Sequence, residues 1–339
     1  MYRKVTKPEA LYHYCSLETF CNIIKNKSIW LSDFRKTNDA KEVIWAKEIV
    51  EREVLPGIQE KINAEIREKN ENGGYSGWEI ANALLNHAEL GVSYWGFCLS
   101  KKRDDLGQWR GYGDDGAGIS IGFKKDKLNE IIQLKTNEKP KDDLTSDKET
   151  DTNSSKADLI LVPVTYKKDK KMFKIIKREA KEFVKGNKEI CQSIERILKD
   201  LGLSGISISP EVAEKIVMEG FAMKNGPFYK MKAFHEEKEY RIIFSASQEK
   251  IPEEKLNKET LAALKWPCGL LFRDYEYTVR DNMLVSHLDI GFKDLSDVLT
   301  SIIIGPKSKV TKKDIELFLK LNGVYSDSIE IKKSAASYR

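Results

Sequence analysis

Apolar positions fall into short boxes whose spacing switches between strand-like and helical. Leu11-Tyr12-His13-Tyr14 reads as a strand, and Leu17, Phe20, Cys21 and Ile24 recur behind it at helical spacing. A helix is therefore expected over 17–24, with Ser16 as its N-cap. Ile29-Trp30-Leu31-Ser32 is a second strand, so the opening reads strand, short helix, strand. A helical pattern over 42–70 is interrupted near Pro56-Gly57 and ended by Gly73-Gly74, and a helix over 78–90 leads into a strand at 94–100. A helical turn at 104–112 and a glycine-rich bend come before the alternating strand 117–123. Further strands are expected at 159–166, 240–245, 270–272, 283–290, 301–305 and 328–332. Basic amphipathic helices are expected at 172–201 and 210–223, and a last helix at 312–321. Strands and helices in this irregular order, without βαβ alternation or repeats, predict an α+β fold.

Composition refines the organisation. Between 135 and 158 the only apolar residues are Leu144 and Ala157, which marks a polar insertion into a single domain spanning 1–339. The helices of 168–225 read as a second, helical insertion. With 40% hydrophobic and 33% charged residues, the chain can bury a core, which excludes global disorder. A net charge of +5 is too weak for a DNA-coating protein, although Lys167, Lys168, Lys170, Lys171, Lys174, Lys177 and Arg178 form a local basic cluster. Apolar stretches such as 299–305 fall far short of the roughly 18 residues a membrane span needs. The opening Met1-Tyr2-Arg3-Lys4 carries no apolar signal segment, so a cytoplasmic protein without membrane contact is expected. Five cysteines without a Cys-x-x-Cys pair are expected as reduced thiols, and no zinc site is expected.

The familiar catalytic signatures are missing: there is no phosphate-binding Gly-x-x-x-x-Gly-Lys loop, no Gly-x-Ser-x-Gly elbow and no His-Glu-x-x-His. The glycine bend at 111–118 precedes a strand, the wrong order for a dinucleotide-binding turn. Polar residues set into apolar boxes stand out instead. His13 and Tyr14, Asn38 and Asp39, Trp109 and Tyr112, and the run 236–241 are the main cases. Each alone has a bland explanation: a satisfied structural histidine, a turn or N-cap, core packing, exposed charge. Glu237 and Glu239 flank Lys238 at the entry to a strand and are expected on one face.

Eight such boxes occur in order: Leu-Tyr-His-Tyr-Cys-Ser at 11–16, Trp-Leu-Ser-Asp at 30–33, Asn38-Asp39 with Glu42, Phe-Cys-Leu-Ser at 97–100, Trp-Arg-Gly-Tyr at 109–112, Gly-Ile-Ser-Ile-Gly-Phe at 118–123, Phe-His-Glu-Glu-Lys-Glu-Tyr-Arg at 234–241 and Ile-Ile-Ile-Gly-Pro at 302–306. Together they resemble domain-of-unknown-function family 2971 of bacteria and phage-related loci. The chain departs from that pattern at Cys15, where Thr is usual, at Ala40, where Pro usually follows Asn-Asp, and at Gln108, where Met often precedes the Trp.

A strand bearing a His, a helix, a strand bearing a Ser and a late strand bearing a Glu also resemble the ADP-ribosyltransferase fold of DNA- and RNA-modifying toxins. That likeness implies a split mixed β-sheet core with inserted and flanking helices. It implies NAD as substrate, Glu239 as the catalytic carboxylate, and His13, Tyr14, Ser32, Arg35, Asn38, Asp39, Arg110, Tyr112 and Arg241 as residues that bind NAD. His13 is expected to donate to a ribose hydroxyl or a diphosphate oxygen, Tyr14 or Tyr112 to face the nicotinamide ring, and Arg35, Arg110 and Arg241 to hold the diphosphate. No metal is implied. The function implied is that of a toxin or anti-phage effector modifying a macromolecule, nucleic acid favoured over protein, with an antitoxin or chaperone as a further partner. Two alternatives stay open: a metal-dependent nuclease or phosphodiesterase using Asp39, Glu42, Glu237 and Glu239, and a non-enzymatic module that senses a nucleotide. On the first reading, His13, Asn38-Asp39, Tyr112 and Glu239 meet in one cleft. Removing 135–158, which has almost nothing apolar to bury, is expected to leave a soluble, folded protein with an unchanged melting temperature. Its loss into the insoluble fraction would show that the segment packs.

Overall fold

A computed structural model describes residues 9–36, 92–136, 158–186, 189–200, 225–247, 272–280, 282–325 and 328–338, with short runs within 45–53 and 213–222. The expected helices over 54–70 and 78–90 and most of the 135–158 insertion lie outside the described residues.

The chain opens as expected with β1 (Ala10–Cys15), α1 (Leu17–Asn26) and β2 (Ser28–Asp33). Ser16 caps α1 by accepting from the Thr19 N–H, and Phe20, Ile23 and Ile24 turn its apolar face into the core. There follow β3 (Val92–Ser100), α2 (Leu106–Tyr112), β4 (Ile119–Lys124), α3 (Lys125–Thr136), β5 (Asp158–Pro163) and β6 (Thr165–Lys167). Next come α4 (Asp169–Gly186), α5 (Ile190–Asp200), β7 (Tyr229–Met231) and β8 (Glu239–Ser247). The chain closes with β9 (Phe272–Arg280), β10 (Met283–Gly291), α6 (Leu295–Val298), β11 (Leu299–Ile304), α7 (Lys312–Leu321) and β12 (Glu330–Lys333). This is an α+β fold whose mixed sheet is mostly antiparallel.

The ten-stranded sheet runs β12-β11-β4-β1-β3-β2-β10-β9, and β8, itself paired with β5, lies along the other edge of β3. Among the described strands only β11 and β12 pair in parallel within it. The sheet forks at β3. Its edge away from β8 meets β1 only at Tyr12↔Ser100, and meets β2 at Ser32↔Gly96 and Asp33↔Trp95. The β1–α1–β2 unit thus straddles one edge of β3 while β8 covers the other edge along all nine residues. Phe34, just past β2, packs on Gly96, where an added Cβ would overlap its ring.

Among the described residues the buried apolar side chains form two large clusters and two small ones. Leu11, Phe20, Ile24, Trp95, Phe97, Phe123, Phe244 and Ile302 belong to the sheet core. Met172, Ile176 and Ala180, spaced along one face of α4, pack instead with Trp45, Ile49 and Ile194. The helices α4 and α5 thus share this hydrophobic centre with the segment around Trp45–Val50.

The departures from the sequence reading have local causes. The strand expected over 159–166 breaks at Pro163, which has no N–H to give. Val164 N–H donates to the Glu239 carbonyl (3.0 Å), and the chain leaves β8 to pair with β7 as β6. The helix expected over 172–201 is two, α4 and α5. Helix α3 was not foreseen, because its apolar residues are scattered among charged ones; among its described side chains Leu128 and Ile132 are buried. Strand β9 runs to Arg280, well past the expected 272. No helix among the described residues is long and apolar enough to cross a membrane. Gly96→Ala is expected to lower stability by about 1–3 kcal/mol through overpacking against Phe34, read as a lower urea midpoint.

Candidate functional site

Strand register assembles a cleft over the fork. Ser100 stands opposite both Tyr12 and Glu239, and Cys98 stands opposite Arg241. Because side chains alternate along a strand, Tyr12, Tyr14, Cys98, Ser100, Glu239 and Arg241 share one face of the sheet. Helix α2 adds Gln108 and Tyr112 as a wall, and the turn before β8 adds Glu237. The cleft is shallow and open, with about 60 Å³ of space for water-sized groups, well below the roughly 300–1,000 Å³ of ligand pockets.

Behind the cleft lies a charged cluster. Lys230 and Arg241 are fully buried and Glu239 is 6% exposed. Arg241 grips Glu239 with both arms, Nε to Oε1 at 2.6 Å and Nη2 to Oε2 at 3.2 Å, and gives Nη1 to the Pro227 carbonyl at 2.9 Å. Lys230 Nζ reaches Glu237 Oε2 at 2.5 Å and Glu239 Oε2 at 3.3 Å. The two glutamates do meet, but through a device the sequence reading missed. Lys232–Glu237 is a 3₁₀ turn and Lys238 takes a left-handed conformation (φ 48°), so the chain reverses before β8 begins. Ser100 Oγ pins the turn by donating to the Glu237 carbonyl (2.6 Å), and the Glu239 N–H donates to Tyr166 Oη (2.8 Å).

The carboxylates differ in character. Burial alone would push the Glu239 carboxyl up, but the Arg241 guanidinium and the Lys230 ammonium outweigh it and hold it below the usual range, so it stays ionised. At Glu237 burial wins over Lys230, and its carboxyl is pushed up. Glu237 is also the more open of the two, at 17% side-chain exposure, and its Oε1 accepts from Tyr112 Oη at 3.1 Å.

His13 fills the fork itself. Where β1 diverges from β3, its Nδ1 lies 2.9 Å from the Cys98 carbonyl and its ring stacks on Phe97 with centroids 4.1 Å apart. A carbonyl only accepts, so Nδ1 carries the proton. Burial pulls the imidazole pKa down to about 4 against that hydrogen bond, and the ring is neutral at pH 7. Nε2 is then an acceptor. This corrects the expectation that His13 donates to a hydroxyl or diphosphate oxygen: it can only accept from a hydroxyl.

Tyr14 lines the cleft, but its hydroxyl is spent on structure. It donates to the Lys102 carbonyl (2.8 Å) and accepts from the Asp105 N–H (3.0 Å), while the ring meets Trp109 edge-on at 4.8 Å. Trp109 is core and Tyr112 is 36% exposed, so the two do not form one packed face. Of the other expected site residues, Arg241 lies behind the cleft on Glu239. Arg110 is exposed and stacks on Tyr338 at 4.9 Å. Ser32 faces elsewhere, with Oγ 2.9 Å from His287 Nδ1, whose Nε2 is 2.7 Å from Thr278 Oγ1. Asn38, Asp39 and the side chain of Arg35 lie outside the described residues. Lys230, Gln108, Ser100 and Tyr12 were not foreseen at the site. A lone lysine inside the apolar run Tyr229-Lys230-Met231 was the legible sign of the first.

A family model described as a protein of unknown function (DUF2971) matches residues 108–242. That segment holds the boxes at 109–112, 118–123 and 234–241, and the match supports the family likeness there. The boxes at 11–16, 30–33, 97–100 and 302–306 fall outside it. No curated protein and no solved structure matches the chain.

Glu239→Gln leaves two buried cations short of one anion, and stability is expected to fall by about 3 kcal/mol or more in urea unfolding at pH 7. His13 gives a pH signature. Unfolded imidazole takes up a proton near pH 6.5 and the folded ring only near 4, so its contribution is complete above about 6.5 and lost as pH falls toward 4. His13→Gln is expected to flatten the urea midpoint over that window. The contribution of Glu239 is lost only at lower pH, below the ordinary carboxylate value of about 4.3.

Proposed function

We propose that this cleft holds the nicotinamide–ribose end of NAD, and that the protein is an ADP-ribosyltransferase acting on a macromolecule, as a toxin or anti-phage effector. The convergence of His13, Tyr14, Tyr112 and Glu239, far apart in sequence, on one small aromatic cleft carries the reading. The fork of β1 and β2 over β3 supports assigning the sheet to the split ADP-ribosyltransferase type.

In this reaction the bond between ribose C1′ and the pyridinium nitrogen breaks, and its electron pair leaves with neutral nicotinamide. An acceptor nucleophile then bonds to C1′ and gives up its proton to solvent. The sugar passes through an oxocarbenium-like state, which carboxylates stabilise. Glu239 supplies a fixed charge at the base of the cleft, and Glu237, the more open carboxylate, reaches the ribose. His13 Nε2 accepts from a ribose hydroxyl, and Tyr112 faces the cationic ring. Arg241 is committed to Glu239, so the diphosphate falls to Arg35 or Arg110. The exposed lysines of α4, Lys170, Lys171, Lys174 and Lys177, favour a nucleic-acid acceptor.

The test incubates the full chain with labelled NAD and separate pools of protein, RNA and DNA. Label transfer to one pool is expected. Glu237→Gln is expected to lower turnover by about two to three orders of magnitude with NAD affinity little changed, and Glu239→Gln, checked for folding, to do the same. No NAD consumption, normal turnover in both variants, or activity lost on chelation of Mg²⁺ would overturn the proposal, the last in favour of a nuclease.

A further inference from the structure

Among the groups lining the cleft, most polar atoms already have partners, and Gln108 does not. Its residue is only 6% exposed, yet among the described residues its side-chain amide makes no hydrogen bond. Neither amide atom is among the enclosed side-chain atoms that lack a partner, so the amide opens into the cleft, where a ligand or water completes it.

The backbone that carries it is held from several sides. Gln108 N–H donates to the Asp105 N-cap carboxylate at 3.2 Å, and the Gln108 carbonyl accepts from Gly113 N–H at 3.2 Å. The next residue, Trp109, is fully buried and donates Nε1 to Asp104 Oδ1 at 2.7 Å. The amide is therefore presented from a fixed base, which keeps the entropic cost of using it small.

A carboxamide offers a donor and an acceptor in one plane, and its best complement is a group with the same pair reversed. A carboxylate would bring a third anion beside Glu237 and Glu239, and an alkyl group would leave the Gln108 amide unpaired. We propose that Gln108 determines ligand specificity in the cleft by pairing with a planar primary carboxamide on an aromatic ring. Resting on the reading of the cleft as the nicotinamide–ribose site, the inference assigns Gln108 to the carboxamide of the nicotinamide leaving group.

The experiment titrates nicotinamide, 3-acetylpyridine and adenine into the full chain and its Gln108→Met variant, with a melting curve for each. 3-Acetylpyridine keeps the ring and the carbonyl but lacks the amide donor. The wild-type protein is expected to bind nicotinamide at least tenfold tighter than 3-acetylpyridine. Gln108→Met should weaken nicotinamide by about ten- to a hundredfold and erase the preference. Its melting temperature should stay within about 2 °C, because no internal partner is lost. A variant that keeps the nicotinamide preference, a melting temperature that collapses in Gln108→Met, or a wild-type preference for adenine would each overturn the assignment. If wild-type protein binds neither nicotinamide nor NAD, the nicotinamide-site reading itself fails. If it cleaves NAD while Gln108→Met discriminates as before, only the role of Gln108 fails.

Discussion

Two full positive charges sit where water does not reach, and the architecture of the cleft follows from what is needed to keep them there. Lys230 and Arg241 have no exposed surface, and a lone buried cation costs several kcal/mol even after relaxation. Glu239 answers both, with two contacts to Arg241 and one to Lys230, and Glu237 answers Lys230 a second time. Four elements are drawn together by that requirement: β7 for Lys230, the 3₁₀ turn for Glu237, β8 for Glu239 and Arg241, and the Gly226–Phe228 turn for the carbonyl that takes the last arm of Arg241. The same cluster explains the left-handed Lys238. Without that reversal Glu237 would continue the strand and, one residue removed from its neighbour in the pleat, would depend on β8 alone for its position.

The fork at β3 is the second constraint, and it depends on the first for its far edge. Because β8 holds β3 along its full length, β1 and β2 are free to share the remaining edge and part from one another. Parting strands leave carbonyls without ladder partners, and His13 answers the one at Cys98. The histidine is in this sense structural, as a half-buried histidine in a strand most often is. The same bond fixes its tautomer, which leaves Nε2 as an acceptor, while the ring packs on Phe97.

Much of this was legible in the sequence where a local rule governs. The strands β1, β2, β3 and β4, the capped helix α1 and the short helix α2 lie where apolar spacing and capping place them. Tyr14, Tyr112, His13 and Glu239 could be selected because each interrupts an apolar box. What was not legible depends on partners distant in the chain. Nothing near Arg241 says that it faces Glu239 rather than a ligand, since an arginine in a strand suits either, and only burial decides. Ser32 looked like a cleft residue because its strand follows the His-bearing one, but β2 pairs with β10, and its hydroxyl meets His287 from the far end of the chain. Gln108 was noted only as a departure from a family pattern, because an unpaired amide is a property of a packed site and not of a sequence. Lys230 gave a sign, one charge in an apolar triplet, but its two partners lie seven and nine residues on, across a turn of unusual conformation.

The charge cluster also settles how a net-neutral group can present a negative face. Glu237 and Glu239 line the cleft, whereas Lys230 and Arg241 stand behind them. The carboxylate oxygens are held by the cations behind them and by Tyr112, and those cations offset the cost of burying the anions. The asymmetry between the two carboxyls follows from the same layout. Glu239 stays ionised because two cations outweigh its burial, whereas Glu237 is pushed up because burial and the neighbouring Glu239 charge outweigh its single cation and the Tyr112 hydroxyl. The number of cations each carboxyl faces, more than the identity of the side chain, sets two chemically identical groups apart.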